Sequence, residues 1–203
     1  MTDRMFTVFI VDDDAGVLKG LSRLLRAKGY DVRSYLSSQE FLAEHDATAP
    51  GCAVLDVAMP GLDGLALQQA LAAQGPSRPI IFLTGKGDIP ISVRAMKAGA
   101  VDFLTKPASD QDLLAAIARA EGLDAQARRH DAELVAIEAK LATLTPRERE
   151  VLTHVVAGRL NKQIAGDLGT VEKTIKVHRS RMMEKLGVRG VADLVRMAEK
   201  VGI

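Results

Sequence analysis

A single cysteine, Cys52, excludes any disulfide within this 203-residue chain. It sits inside an apolar run, where a buried structural thiol is expected rather than a redox centre. Only four histidines are present, scattered and without a Cys/His grouping at metal spacing, so no zinc site is expected. No stretch approaches eighteen consecutive apolar residues, and no basic segment followed by a long apolar run stands at the N-terminus. Neither a membrane span nor a secretory leader is expected, and the cytoplasm is the expected compartment. What remains is an ordinary globular composition, 47% hydrophobic and 26% charged, with room for one large domain or two modest ones.

What is present is a set of short apolar runs that each end in a reactive polar group. Phe6 to Val11 precedes Asp12-Asp13, Cys52 to Leu55 precedes Asp56, Ile80 to Leu83 precedes Thr84, and Val101 to Thr105 precedes Lys106-Pro107. Amphipathic segments separate them at Ala15 to Lys28, Ser38 to His45, Leu65 to Gln74 and Ile91 to Ala98, with another at Asp110 to Ala120. Strand-then-helix repeated five times predicts an α/β domain, a five-stranded parallel sheet with helices on both faces. Ligands of such doubly wound sheets collect at the carboxyl ends of the strands, so these polar groups are expected to converge there.

Adjacent carboxylates facing a third repel unless a cation neutralises them, which predicts a bound divalent ion. Magnesium fits carboxylate and phosphate oxygens best and leaves Asp56 free to present an oxygen to phosphorus. Thr84 would donate a hydrogen bond to a phosphoryl oxygen and Lys106 would supply a second positive charge. Lys106-Pro107 is a candidate cis bond, although most X-Pro bonds are trans. Each group alone has an ordinary reading as a helix cap, turn residue or solvated charge; four strand ends carrying them together favour chemistry.

The net charge of +1 hides an asymmetry: residues 1–144 carry 15 Lys+Arg against 19 Asp+Glu, and residues 145–203 carry 12 against 7. The basic excess lies on a region that reads as all helix, the footprint expected of a phosphate-backbone binder. Thr145-Pro146-Arg147-Glu148 is a capping box with proline at the first helical position. That helix is expected to end at Gly158, a second to start with Asn161 as its N-cap and end at Gly169, and a third to run from Glu172 to Leu186. The last two make a helix-turn-helix. On the third helix Ile175, Met182 and Leu186 share the inward arc. Lys173, Lys176, Val177, Ser180 and Arg181 form an outward strip suited to a major groove. Asn161 and Lys162 would offer backbone N–H groups and an ammonium to phosphate. Between the two regions, residues 122–141 contain no proline and read as a helical linker that is either continuous or broken at Gly122.

Val8 to Asp14, Leu55 to Gly64, Leu83-Thr84-Gly85 and Phe103 to Pro107 resemble a response-regulator receiver domain of flavodoxin-like fold. By that resemblance Asp56 is the phosphoacceptor, and Asp12, Asp13, Asp56 and the Ala58 carbonyl hold Mg2+. Thr84 and Lys106 bind the phosphoryl group, Phe103 is the aromatic switch, and the donor is a phosphohistidine on a sensor histidine kinase. Thr84-Gly85-Lys86-Gly87-Asp88-Ile89-Pro90 and Ala95 to Phe103 are similar to the FixJ branch, with Ala108 departing from the aromatic often found after Lys-Pro.

Leu144 to Leu152, Asn161 to Ala165 and Thr174 to Arg179 resemble the LuxR-type helix-turn-helix, a four-helix domain. The resemblance carries DNA-binding roles to Lys173, Thr174, Lys176, Val177 and His178. The family usually reads Ile-Ser before its recognition helix; here Thr170-Val171 stands, and a missing serine cap costs about 1 kcal/mol unless Thr170 caps instead. Gly166 is a weak spot within the second helix.

The resulting expectation is a receiver domain at 1–121, a linker at 122–141 and a DNA-binding domain at 142–203. Such a chain is a transcription factor rather than an enzyme, a homodimer when phosphorylated, with double-stranded promoter DNA as its target and no membrane partner. A phosphatase turning over a small ester is a weaker reading, because no substrate cap or Gly-rich phosphate loop is present. A receiver acting through protein contacts rather than DNA is the other alternative.

Overall fold

The computed structural model describes residues 5–73, 75, 78–85 and 89–203. Gln74, the expected end of the third helix, and Lys86, Gly87 and Asp88 of the quoted motif lie outside them. The chain divides into two compact units, Met1–Ala127 and Arg128–Ile203.

The first unit runs β1 (Thr7–Val11), α1 (Ala15–Ala27), β2 (Asp31–Tyr35), α2 (Ser38–Glu44), β3 (Gly51–Asp56), α3 (Gly64–Ala73), β4 (Ile80–Thr84), α4 (Ile89–Lys97), β5 (Asp102–Thr105) and the start of α5 (Asp110–Ala142). All strand pairs are parallel, in the order β2-β1-β3-β4-β5. The continuous apolar runs have their cause here, because β1, β3 and β4 are buried on both faces. Alternation sends Phe9, Val11, Leu55 and Phe82 to one face, against Phe41, Leu67 and Leu71. It sends Val8, Ile10, Val54 and Ile81 to the other, against Leu18, Leu25, Leu113 and Ile117. Each such buried side chain contributes about 2 kcal/mol. Cys52 lies in this second layer, where burial pushes its thiol up to about 12 and keeps it protonated. Strand order reverses between β1 and β3, which opens the crevice at their carboxyl ends.

The second unit holds the end of α5 and then α6 (Pro146–Val156), α7 (Asn161–Asp167), α8 (Glu172–Leu186) and α9 (Val191–Lys200). Helix α5 is unbroken over its 33 residues, so Gly122 lies inside a helix and not at a break. Ile137 and Leu141 are buried in the second unit's core with Leu144, Val151, Ile175 and Leu186. The capping box of α6 forms: the Thr145 hydroxyl accepts from Glu148 N, and Glu148 Oε2 accepts from Thr145 N at 2.9 Å. Glu148 is also held by Lys185 Nζ at 2.6 Å. That hydrogen bond, with the one from the Thr145 backbone, lowers its carboxyl to about 2.

The caps of the next two helices differ from expectation. The N-cap of α7 is Leu160 and not Asn161, and Gln163 Oε1 accepts the Leu160 N–H at 2.8 Å. The N-cap of α8 is Val171, with no side-chain cap bond from it or from Thr170. No helix among the described residues is long and apolar enough to cross a membrane.

Candidate functional site

At the carboxyl ends of β1, β3 and β5 three side chains meet. Lys106 Nζ lies 2.6 Å from Asp12 Oδ2 and 2.7 Å from Asp56 Oδ1, although Lys106 is 94 residues from Asp12 in sequence. Both aspartates are buried. Burial alone would pull the Lys106 pKa down, but the hydrogen bonds it donates to Asp12 and Asp56 outweigh it and hold the ammonium's pKa above its ordinary value. The remaining oxygens are also engaged: Asp12 Oδ1 accepts from Asp14 N at 3.0 Å, and Asp56 Oδ2 from Ala58 N at 3.0 Å. The three adjacent aspartates therefore divide their work. Asp12 enters the pocket, Asp14 caps α1 by accepting from Gly16 N and Val17 N, and Asp13 stays exposed at the rim.

Thr84 is buried at the end of β4, and its carbonyl accepts the Lys106 N–H at 2.7 Å, which ties β5's end to the pocket. The Lys106-Pro107 bond is cis. Phe103 is half-buried, its ring centroid 6.1 Å from that of Phe82. Its backbone N–H donates to Asp102, which pairs with Arg119 of α5. Gly64 is a positioning residue that sequence reasoning passed over. A Cβ there would collide with the Asp56 carbonyl, so only glycine lets α3 start against the aspartate's backbone. It stood inside the quoted motif, but nothing in sequence signals so close an approach.

In the second unit α8 buries Ile175, Met182 and Leu186 and leaves Lys173, Lys176, Val177, Ser180 and Arg181 exposed. Thr174 and His178 are half-buried. Lys176 pairs with Glu172 at 3.0 Å, a surface contact worth less than about 1 kcal/mol and easily exchanged for another anion. Lys162 is exposed at the start of α7, while the Asn161 side chain turns to α8, its Oδ1 accepting from Arg179 Nη1 at 3.0 Å.

Two family models match, the response regulator receiver domain over residues 8–118 and the bacterial regulatory proteins of the luxR family over residues 142–198. The chain belongs to the response regulators with a LuxR-type output domain. The response regulator protein TmoT of Ectopseudomonas mendocina is 44% identical over 99% of this chain and 91% of its own. The transcriptional regulatory protein FixJ of Bradyrhizobium diazoefficiens is 40% identical over 97% and 96%. Among solved structures, the response regulator StyR matches with a TM-score of 0.85 at 46% identity, covering 97% of this chain and 99% of that one. This response regulator is thus a two-component signalling protein with a DNA-binding output domain, in a family of transcriptional regulators and not of enzymes. In its receiver domain Asp12, Asp56 and Lys106 touch, the Ala58 N–H donates to Asp56, and Asp13 is exposed. In its output domain Arg179 is the residue that sequence reasoning missed. It lies four positions after the buried Ile175, just off the core-facing line, and so was absent from the outward strip.

Proposed function

We propose that a sensor histidine kinase phosphorylates this regulator on Asp56 and that the phosphoryl group controls promoter binding by residues 142–203, joined through 122–141 to a receiver at 1–121. The observation that carries the proposal is the Lys106 ammonium set between the Asp12 and Asp56 carboxylates. An Asp56 oxygen attacks phosphorus, an O–P bond forms, and the P–N bond of the donor phosphohistidine breaks with its electron pair returning to the imidazole. The product is an acyl phosphate. Lys106 keeps its bond to Asp12 and turns to a phosphoryl oxygen, where a fixed cation is most effective as charge develops. Thr84 donates its hydroxyl to another.

The donors suit Mg2+. Two carboxylates from different strands already converge on one cation, and exposed Asp13, next to Asp12, and the Ala58 carbonyl, two residues past Asp56, would add further oxygen donors. When bound, the ion neutralises the phosphoryl oxygens.

Withdrawal of Thr84 toward the phosphoryl group leaves room that Phe103 fills from β5, changing the face made by α4, β5 and α5 on which a homodimer forms. Two output domains then present two α8 helices to an inverted-repeat site in double-stranded DNA. Lys173, Thr174, Lys176, Val177, His178, Ser180 and Arg181 read or flank the groove, and Asn161 and Lys162 hold phosphate. The cytoplasm is where kinase and promoter are both met. Fluorescence anisotropy on promoter fragments bound by the protein, with and without acetyl phosphate and Mg2+, tests the reading. Tightening in wild type and none in Asp56→Ala is the expected result. Binding indifferent to donor and mutation overturns the switch, and no DNA binding in any state favours action through protein contacts.

A further inference from the structure

The Asn161–Arg179 bond joins the start of α7 to the middle of α8, and neither the receiver chemistry nor the outward strip uses it. Arginine has five N–H donors and no acceptor, so the Asn161 atom facing Nη1 is its oxygen and the amide's NH2 end must point away from the guanidinium. Arg179 thereby fixes which way the amide faces. Both residues are half-buried, so the orientation is held while the donors remain reachable. Among the described residues the Asn161 NH2 and the remaining Arg179 N–H groups have no other partner. Lys162, the next residue, is exposed and in no ion pair among them.

A neutral amide with spare donors, held by a guanidinium and followed in the chain by an exposed lysine, with no carboxylate bonded to any of them, suits a phosphate oxygen of a nucleic-acid backbone. We infer that Arg179 is a positioning residue that orients the Asn161 amide to donate to a DNA phosphate, fixing the register of α8 in the groove. The inference rests on the proposed DNA-binding role of the output domain. Because a phosphate contact is independent of sequence, it shows on a random-sequence duplex as well as on an operator.

The test uses the full chain and a labelled random-sequence duplex of about three helical turns, with anisotropy read over a range of salt. Asn161→Ala removes no charge, so it is expected to weaken binding about tenfold at every salt concentration while the dependence of log K on log salt stays as in wild type. Arg179→Met is expected to weaken binding at least as much, and the double variant to lose no more than Arg179→Met alone. Arg179→Lys, which keeps charge but not the fork, should recover less than half of the lost affinity. Thermal melting of each variant separates misfolding from lost contact: a fall in melting temperature with wild-type affinity for the duplex means a merely structural bridge and overturns the inference. The triple variant Lys173→Ala, Lys176→Ala, Arg181→Ala guards the underlying reading. If it loses binding while Asn161→Ala and Arg179→Met keep wild-type affinity, only the inference fails; if it binds like wild type, the α8 reading itself fails.

Discussion

Each unit holds a lysine against buried carboxylate at 2.6 Å, and the two pairs differ in what else the carboxylate can do. In the second unit Glu148 is enclosed, its Oε2 taking both Lys185 and the Thr145 N–H, so the pair locks the first turn of α6 to the end of α8. In the first unit Lys106 is shared by two carboxylates at the open mouth of a sheet, with exposed Asp13 beside them. An enclosed ion pair is a fastener; a shared one at a strand end is held in readiness, because one carboxylate can leave the ammonium without stranding it. Distance alone does not separate the two cases. The count of carboxylates around the ammonium does.

Removing each lysine breaks the comparison most sharply. Lys106→Met is expected to reduce the acetyl phosphate response of Asp56 by about a hundredfold or more, read as the rate of phosphoprotein formation, while the fold persists. Lys185→Met leaves the Glu148 carboxylate buried and unpaired. Because Lys185 is itself part-exposed, the expected cost is about 2 kcal/mol, below that of breaking a fully buried pair. Both tyrosines and all five phenylalanines precede residue 128, so near-ultraviolet signals report the first unit alone and far-ultraviolet dichroism reports both. Lys185→Met should lower the melting seen by the second probe and leave the first unchanged.

The pairs should also fail at opposite ends of the pH scale. Glu148 is held at about 2 in the fold against an ordinary 4.5, so its contribution is complete above 4.5 and is lost as pH falls from there toward 2. Lys106 is raised above its ordinary 10.5, so its contribution is complete below 10.5 and is lost as pH rises beyond it through the higher folded value. Unfolding followed by the two spectroscopic probes across pH should show acid weakening the second unit through Glu148 and alkali weakening the first through Lys106. The smallest expected effect is at the uncapped start of α8, where Val171→Ser should stabilise the second unit by about 0.5 to 1 kcal/mol in a denaturant titration.

The sheet was legible because β1, β3 and β4 are buried on both faces and are almost wholly apolar, and because the residue at or just past the end of β1, β3, β4 and β5 carries the polar group. The helix ends at Gly158, Gly169 and Gly187 were legible for a similar local reason, since each has positive φ. Where a local rule met a tertiary competitor the outcome could not be read. Asn161 has the ideal residue type for an N-cap, yet Arg179 from α8 claims its oxygen and Leu160 takes the cap position. Gly122 has the residue type of a break, yet α5 continues through it to bury Ile137 and Leu141 in the second core.

The sequence by itself therefore determined the strand and helix alternation, the strand-end aspartates, threonine and lysine, and the basic outward strip of α8. All of these depend on residue type and short-range periodicity. Only the tertiary structure decided which of three adjacent aspartates enters the pocket and that Lys106 bridges Asp12 and Asp56. It also decided that Gly64 must lack a side chain and that Arg179 holds Asn161. Each of these is a contact between elements far apart in the chain, set by how they pack and not by what any one of them prefers alone.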